Sequence, residues 1–162
     1  MKNLRNPRLC LILVLALLLA ACGSAPATPA APVHADLSAL YEQLCALPDS
    51  GETQLVSEKR MRNFYGIDPD TCPQVILAQS SDTLRADEIW LIEAGSEAQA
   101  EELEALARSR VEQLGREMKD YLPEQYAVVE KAELLRVGSY VGLFISPASQ
   151  TMAEQFEQAL AG

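Results

Sequence analysis

The sequence predicts an α+β fold: an antiparallel sheet of about four strands in strand-strand-helix, strand-strand-helix order, with helices mainly on one face and one or two further helices at the N-terminal side. Three observations predict it. Apolar residues recur at spacings of three and four between Glu97 and Lys119, two short apolar runs precede that stretch, and Gly138-Ser139 divides two further apolar runs in the manner of a two-residue hairpin loop.

In chain order, Asp36 is placed to cap a helix carrying Leu37, Leu40, Tyr41 and Leu44, which Pro48 stops. A polar stretch from Asp49 to Gln54 leads to a second helical pattern with Leu55, Val56, Met61 and Phe64, and Gly66 stands where a C-terminal cap belongs. Val75-Ile76-Leu77 and Ile89-Trp90-Leu91-Ile92 read as strands, the second apolar on both faces and therefore covered on both sides. Ala100, Leu103, Ala107, Val111, Leu114 and Met118 form one stripe of the longest helix, whose outer face carries Glu104 with Arg108 and Glu112 with Arg116. Pro123 opens a shorter helix with Glu124 in its first turn. Leu134 to Val137 and Tyr140 to Ile145 form the second strand pair, with Gly138 first in a type II′ turn. Pro147 begins a last helix with Met152, Phe156 and Leu160 on one face.

Ahead of this domain, Lys2, Arg5 and Arg8 precede an uncharged apolar run from Leu9 to Ala21, the plan of an export signal over residues 1–21. A spanning helix needs about 20 apolar residues, and this run stops at Gly23 and Ser24. A short membrane helix, or cleavage further on after Val33-His34-Ala35, is the competing reading. Leu19-Ala20-Ala21-Cys22 resembles the bacterial lipobox, which implies that Cys22 accepts a diacylglyceryl group and becomes the mature N-terminus. Each buried CH₂ contributes about 0.8 kcal/mol, so two acyl chains hold a protein firmly to a bilayer where one does not. The expected location is therefore the extracytoplasmic face of the cell membrane. Residues 22–35 hold Pro26, Pro29 and Pro32 among small residues, an extended tether reaching about 40 Å at about 3.1 Å per residue, and residues 36–162 form one domain.

The chain's net charge is −10, and removing Lys2, Arg5 and Arg8 leaves 10 basic against 23 acidic residues, or −13. Such a surface disfavours nucleic acid and anionic lipid headgroups, which attract clustered Lys and Arg.

Tyr65-Gly66-Ile67-Asp68, Ala86-Asp87-Glu88-Ile89, Tyr121-Leu122-Pro123-Glu124 and Gly138-Ser139-Tyr140-Val141, in that order behind a lipobox, resemble the bacterial lipoprotein family of the domain of unknown function 4358. The resemblance spans most of residues 36–160 and implies an extracytoplasmic lipoprotein without an assigned activity. The chain departs from the family pattern at Ser139, where Asn is expected, and in its cysteines.

Of those, Cys45 and Cys72 remain in the exported domain. A disulfide between them, stabilising by about 3–4 kcal/mol in the chain-entropy account, and two buried free thiols are both open. The sequence names no catalytic residue, cofactor or metal ligand set. His34, the single histidine, lies in the tether, and Asp68 and Asp70 begin like a calcium loop that Pro73 interrupts. Asp87 and Glu88 are adjacent in a strand and point to opposite faces, which reads as surface charge or an edge contact rather than a shared acid-base pair. Tyr65, Asp87, Tyr121 and Tyr140 are the candidates for a binding surface. The expected role is a non-enzymatic accessory or binding domain with another envelope protein as partner; a small solute-binding or sensory lipoprotein is the alternative, and an enzyme working with carboxylates alone ranks third.

Overall fold

The computed structural model describes residues 34–161, so the expected leader, the lipobox with Cys22 and most of the tether lie outside the described residues. Asp36 caps α1 (Leu37–Cys45), its carboxylate accepting from the Ser38 and Ala39 N–H groups and satisfying two donors that a helix start leaves open. β1 (Thr53–Leu55) follows, then the short α2 (Glu58–Arg60), which widens into a π-helical turn over Met61–Tyr65. Gly66 ends that turn at φ 70°, in the left-handed region that side chains disfavour. A 3-10 turn (Pro69–Thr71) precedes β2 (Gln74–Ser80) and β3 (Glu88–Glu93). The long α3 (Glu97–Met118), α4 (Pro123–Val129), β4 (Glu133–Val137), β5 (Tyr140–Ile145) and α5 (Ser149–Ala161) complete the order. Among the described residues, no helix is long and apolar enough to cross a membrane.

The strands form one antiparallel sheet in the order β1-β2-β3-β5-β4. Alternation along each strand sends Leu77, Trp90, Ile92, Val141 and Leu143 to one face, beneath α3, α4 and the π turn. Ala78, Ile89, Leu91 and Phe144 go to the other, against α1 and α5. Cover on both sides is why Ile89–Ile92 is apolar at every position. At Gly142 a Cβ would stand 3.0 Å from the Phe144 ring and 3.1 Å from Phe156. Bare backbone there lets α5 seat Phe156 edge-on to Phe144, with ring centroids 5.7 Å apart.

The α+β class, both strand pairs, the long helix and the final helix stand as the sequence predicts. So does the hairpin: Val137 pairs with Tyr140, and Gly138 takes φ 57° while Ser139 does not turn positive, the type II′ pattern. Three details differ. A fifth strand, β1, forms from residues expected in a polar stretch and a helix start. Three residues are too few to display alternation, and pairing with β2 (Thr53 opposite Ser80) supplies what propensity does not. The helices divide between the two faces instead of lying mainly on one, because a sheet whose inner strands are apolar on both sides needs both covered. Phe64 is half exposed and Tyr65 takes the buried place, since the wide π turn advances the apolar face by a residue.

Candidate functional site

The sheet has two poles. Residues 34–36 join it beside Gln74, Glu93 and Tyr140, the N-terminal pole; the segment between β2 and β3 forms the other, the turn pole. Local hydrogen bonds fix this turn. Ser80 Oγ accepts the Asp82 N–H at 3.1 Å, the Asp82 carboxylate accepts the Leu84 N–H at 2.9 Å, and the Asp82 carbonyl accepts the Arg85 N–H at 3.1 Å. The Ala86 N–H donates to Gln125 Oε1 at 3.0 Å, tying the turn to the start of α4. Leu84 is thereby held outward, 62% exposed, and with Tyr121, 85% exposed, it lines an open groove completed by Leu122, Pro123, Glu124 and Gln125.

On the other side of the turn lies a cleft of about 210 Å³, bordered by Arg60, Phe64, Arg85, Asp87, Glu88 and Arg110, among others. Its floor is ionic and buried. Glu88, 2% exposed, accepts from Arg110 Nη2 at 2.8 Å, from Arg110 Nε at 3.1 Å and from Trp90 Nε1 at 2.7 Å. A carboxylate taken out of water without partners costs several kcal/mol, about what paired, fully bonded geometry offsets. Burial opposes the charge on Arg110, but the hydrogen bonds and charge of Glu88 outweigh it and raise its pKa above the ordinary arginine value. The same guanidinium lies 5.4 Å from the Phe64 ring centroid and 5.3 Å from that of Tyr65.

Asp87, also 2% exposed, is held by Arg85 through Nε at 2.7 Å and Nη2 at 3.2 Å. Gly51 packs against its carboxylate at φ 80°, and any Cβ at Gly51 would collide with Asp87. Tyr65 donates its hydroxyl to Gln79 Oε1 at 2.6 Å; burial, then the charge of Glu88, raise its pKa and keep it a donor. Arg60 stacks on Phe64 at 4.8 Å and reaches Gln79 at 3.4 Å. Both carboxylates are committed to arginines through charge-assisted hydrogen bonds. The assembly is a rigid base beneath an exposed apolar and aromatic rim.

The four residues expected to share a binding surface are separated. Tyr121 is exposed at the turn pole. Tyr65 and Asp87 lie near it but are buried, so they support the surface rather than form it. Tyr140 is at the N-terminal pole, opposite Glu93 in the ladder and buried; burial first, then its bond to Glu93, raises its pKa although the Ala35 backbone opposes this. Asp87 and Glu88 do face opposite ways, toward Gly51 and α3, but they are not surface charge: β3 is central, and each brings an arginine. Cys45 and Cys72 are free thiols. Cys45 packs with the cluster under α1 and α5 and Cys72 with the cluster under α3, so the sheet stands between them. Asp68 and Asp70 are both bound by Arg62, at 2.9 and 2.8 Å.

Sequence reasoning missed Glu88 with Arg110, the supporting pair of the pole. The signal was present: Glu88 shares parity with Trp90 and Ile92 on a buried strand face, and Arg110 falls between Ala107 and Leu114 on the apolar stripe of α3. The family model described as a domain of unknown function (DUF4358) matches residues 47–146, a span that takes in all five strands with α3 and α4. No curated protein and no solved structure matches the chain.

Proposed function

The chain belongs to the family described as a domain of unknown function (DUF4358), and from that premise we propose that it is a lipid-anchored protein of the extracytoplasmic face of the cell membrane whose folded domain binds another envelope protein through the turn pole. The observation that carries the binding role is the gathering of Phe64, Leu84 and Tyr121, all large and exposed, around one hydrogen-bonded turn with Arg60 stacked beside them. Exposed aromatic, apolar and arginine side chains on a fixed backbone are what protein interfaces use as anchors. The anchor rests on Leu19-Ala20-Ala21-Cys22 behind a basic and then apolar leader. At the start of the described domain the Ala35 carbonyl accepts from Gln74 at 2.8 Å and His34 lies 3.1 Å from Glu93, at the pole of the sheet opposite the exposed rim.

The small-solute reading is less well supported. The carboxylates of the cleft are already paired with Arg85 and Arg110, and the neighbouring groove of Leu84 and Tyr121 lies open to solvent where a small-ligand site encloses most of its occupant.

The test is photo-crosslinking in cells from a reactive residue placed at Tyr121, with Gln158, exposed on α5, as the control position. The expected outcome is a discrete product with an envelope protein from Tyr121 alone, together with loss of lipid labelling and retention of the precursor in Cys22→Ser. Equal products from both positions, or undiminished labelling of Cys22→Ser, would remove the corresponding half of the reading.

A further inference from the structure

We infer that the groove between Leu84 and the start of α4 receives a basic segment of the partner, an apolar side chain flanked by lysine or arginine. This inference rests on the binding role proposed above and names the chemistry of the partner.

The groove has a volume of about 300 Å³ and is walled by Leu84, Tyr121, Leu122 and Pro123. Both of its sides are fixed before any partner arrives. Leu84 is set by the Asp82 hydrogen bonds, the two sides are joined through Ala86 and Gln125, and the Leu122 N–H donates to the Met118 carbonyl at 2.8 Å. An apolar anchor entering there orders little of the receiving backbone, which removes one of the main costs of association.

Charge selects the occupant. Asp82 stands on the turn, Glu124 lines the groove and Asp120 precedes Tyr121; all three are exposed, and none forms an ion pair among the described residues. Arg85, the cation of the turn, is committed to Asp87. Lys119 lies with Arg116 and Tyr126 in a separate recess. The apolar walls therefore sit inside a rim of exposed carboxylates without close ion-pair partners among the described residues, the charge of Asp82 being partly offset by Arg85, on a chain whose net charge is already −10. That field attracts a cationic segment and repels both a second copy of this chain and an anionic lipid surface.

The experiment measures binding of a fluorescent eight-residue peptide, two leucines flanked by lysines, to the full-length lipidated protein in detergent. A counterpart with glutamate in place of lysine serves as the control. The lysine peptide is expected to bind and to weaken as salt rises from about 0.05 to about 0.5 M, because screening shortens the reach of the rim. Leu84→Ser and Tyr121→Ala should each weaken it about tenfold, and the triple variant Asp82→Asn, Asp120→Asn, Glu124→Gln should weaken it and flatten its salt dependence. These residues are exposed, so the variants keep the fold, which an unchanged melting profile verifies. Equal binding of the glutamate peptide, or affinity indifferent to Leu84 and Tyr121, overturns the inference. So does groove-dependent self-association in sedimentation, or groove-dependent attachment to anionic vesicles. A cross-link from Tyr121 to an envelope protein without lysine-peptide binding would keep the binding role and discard this partner chemistry; absence of both discards both.

Discussion

The two poles of the sheet use the same kinds of residue and differ in what they leave open. At the N-terminal pole Glu93 accepts from Gln74 at 2.8 Å, Gln74 also holds the Ala35 carbonyl and the Leu37 N–H, and Tyr140 is buried beside them. Those groups are spent on fastening the chain to the sheet. At the turn pole Asp87 and Glu88 are likewise spent, on Arg85 and Arg110, yet Phe64, Leu84 and Tyr121 remain in water. Buried polar pairing alone therefore does not mark a site in this protein. What separates the poles is exposed apolar surface mounted on a fixed backbone.

The turn pole should lose most stability at Arg110. Arg110→Leu strands a buried carboxylate, and the expected loss is about 3–5 kcal/mol by urea unfolding, whereas pairing it with Glu88→Leu should recover most of that loss. A single variant as stable as the parent would mean that the pair bears little of the pole. Gly51→Ala comes next, at about 2–4 kcal/mol, from the left-handed backbone and the clash with Asp87 together; thermal melting measures it. At the N-terminal pole, Gln74→Ala should cost about 1–2 kcal/mol for its unmade hydrogen bonds and speed amide exchange at Leu37, without touching capture by the turn pole.

The smallest expected effect is alkaline. Burial raises the pKa of Tyr41, Tyr65 and Tyr140 above the ordinary 10.0. A raised folded-state value means that the neutral phenols contribute stability fully below the unfolded value, and that this stability is lost as pH rises through the folded values. The contribution of these phenols should thus be constant below about pH 9 and decline above about pH 10, so that stability falls less steeply there in Tyr65→Phe. Identical slopes would show that Tyr65 is not part of this balance.

Much of the fold was legible because its signals are local and periodic. The stripe of α3, the Gly138 turn and the continuous apolar run of β3 each carry their own rule. β1 was not legible, since three residues depend on β2 for their conformation, and the division of helices between faces depends on which loops cross the sheet, which no window of sequence contains. The site was half legible. Tyr121 stood out as an aromatic at a helix boundary, but Glu88 and Arg110 are 22 residues apart and meet only through packing. Leu84 is exposed for a reason written in the hydrogen bonds of Asp82, not in hydropathy.

In the binding role proposed above, the turn pole, opposite the end where residues 34–36 meet the sheet, is the face that meets a partner. Amide hydrogen exchange of the lipidated protein in its native membranes, set against the purified protein in detergent, tests it most directly. Slower exchange is expected at residues 82–86 and 121–126 alone, with Gln74 and the Glu93 end of β3 unchanged. Protection concentrated on α1 and α5, or none at the turn, would contradict it.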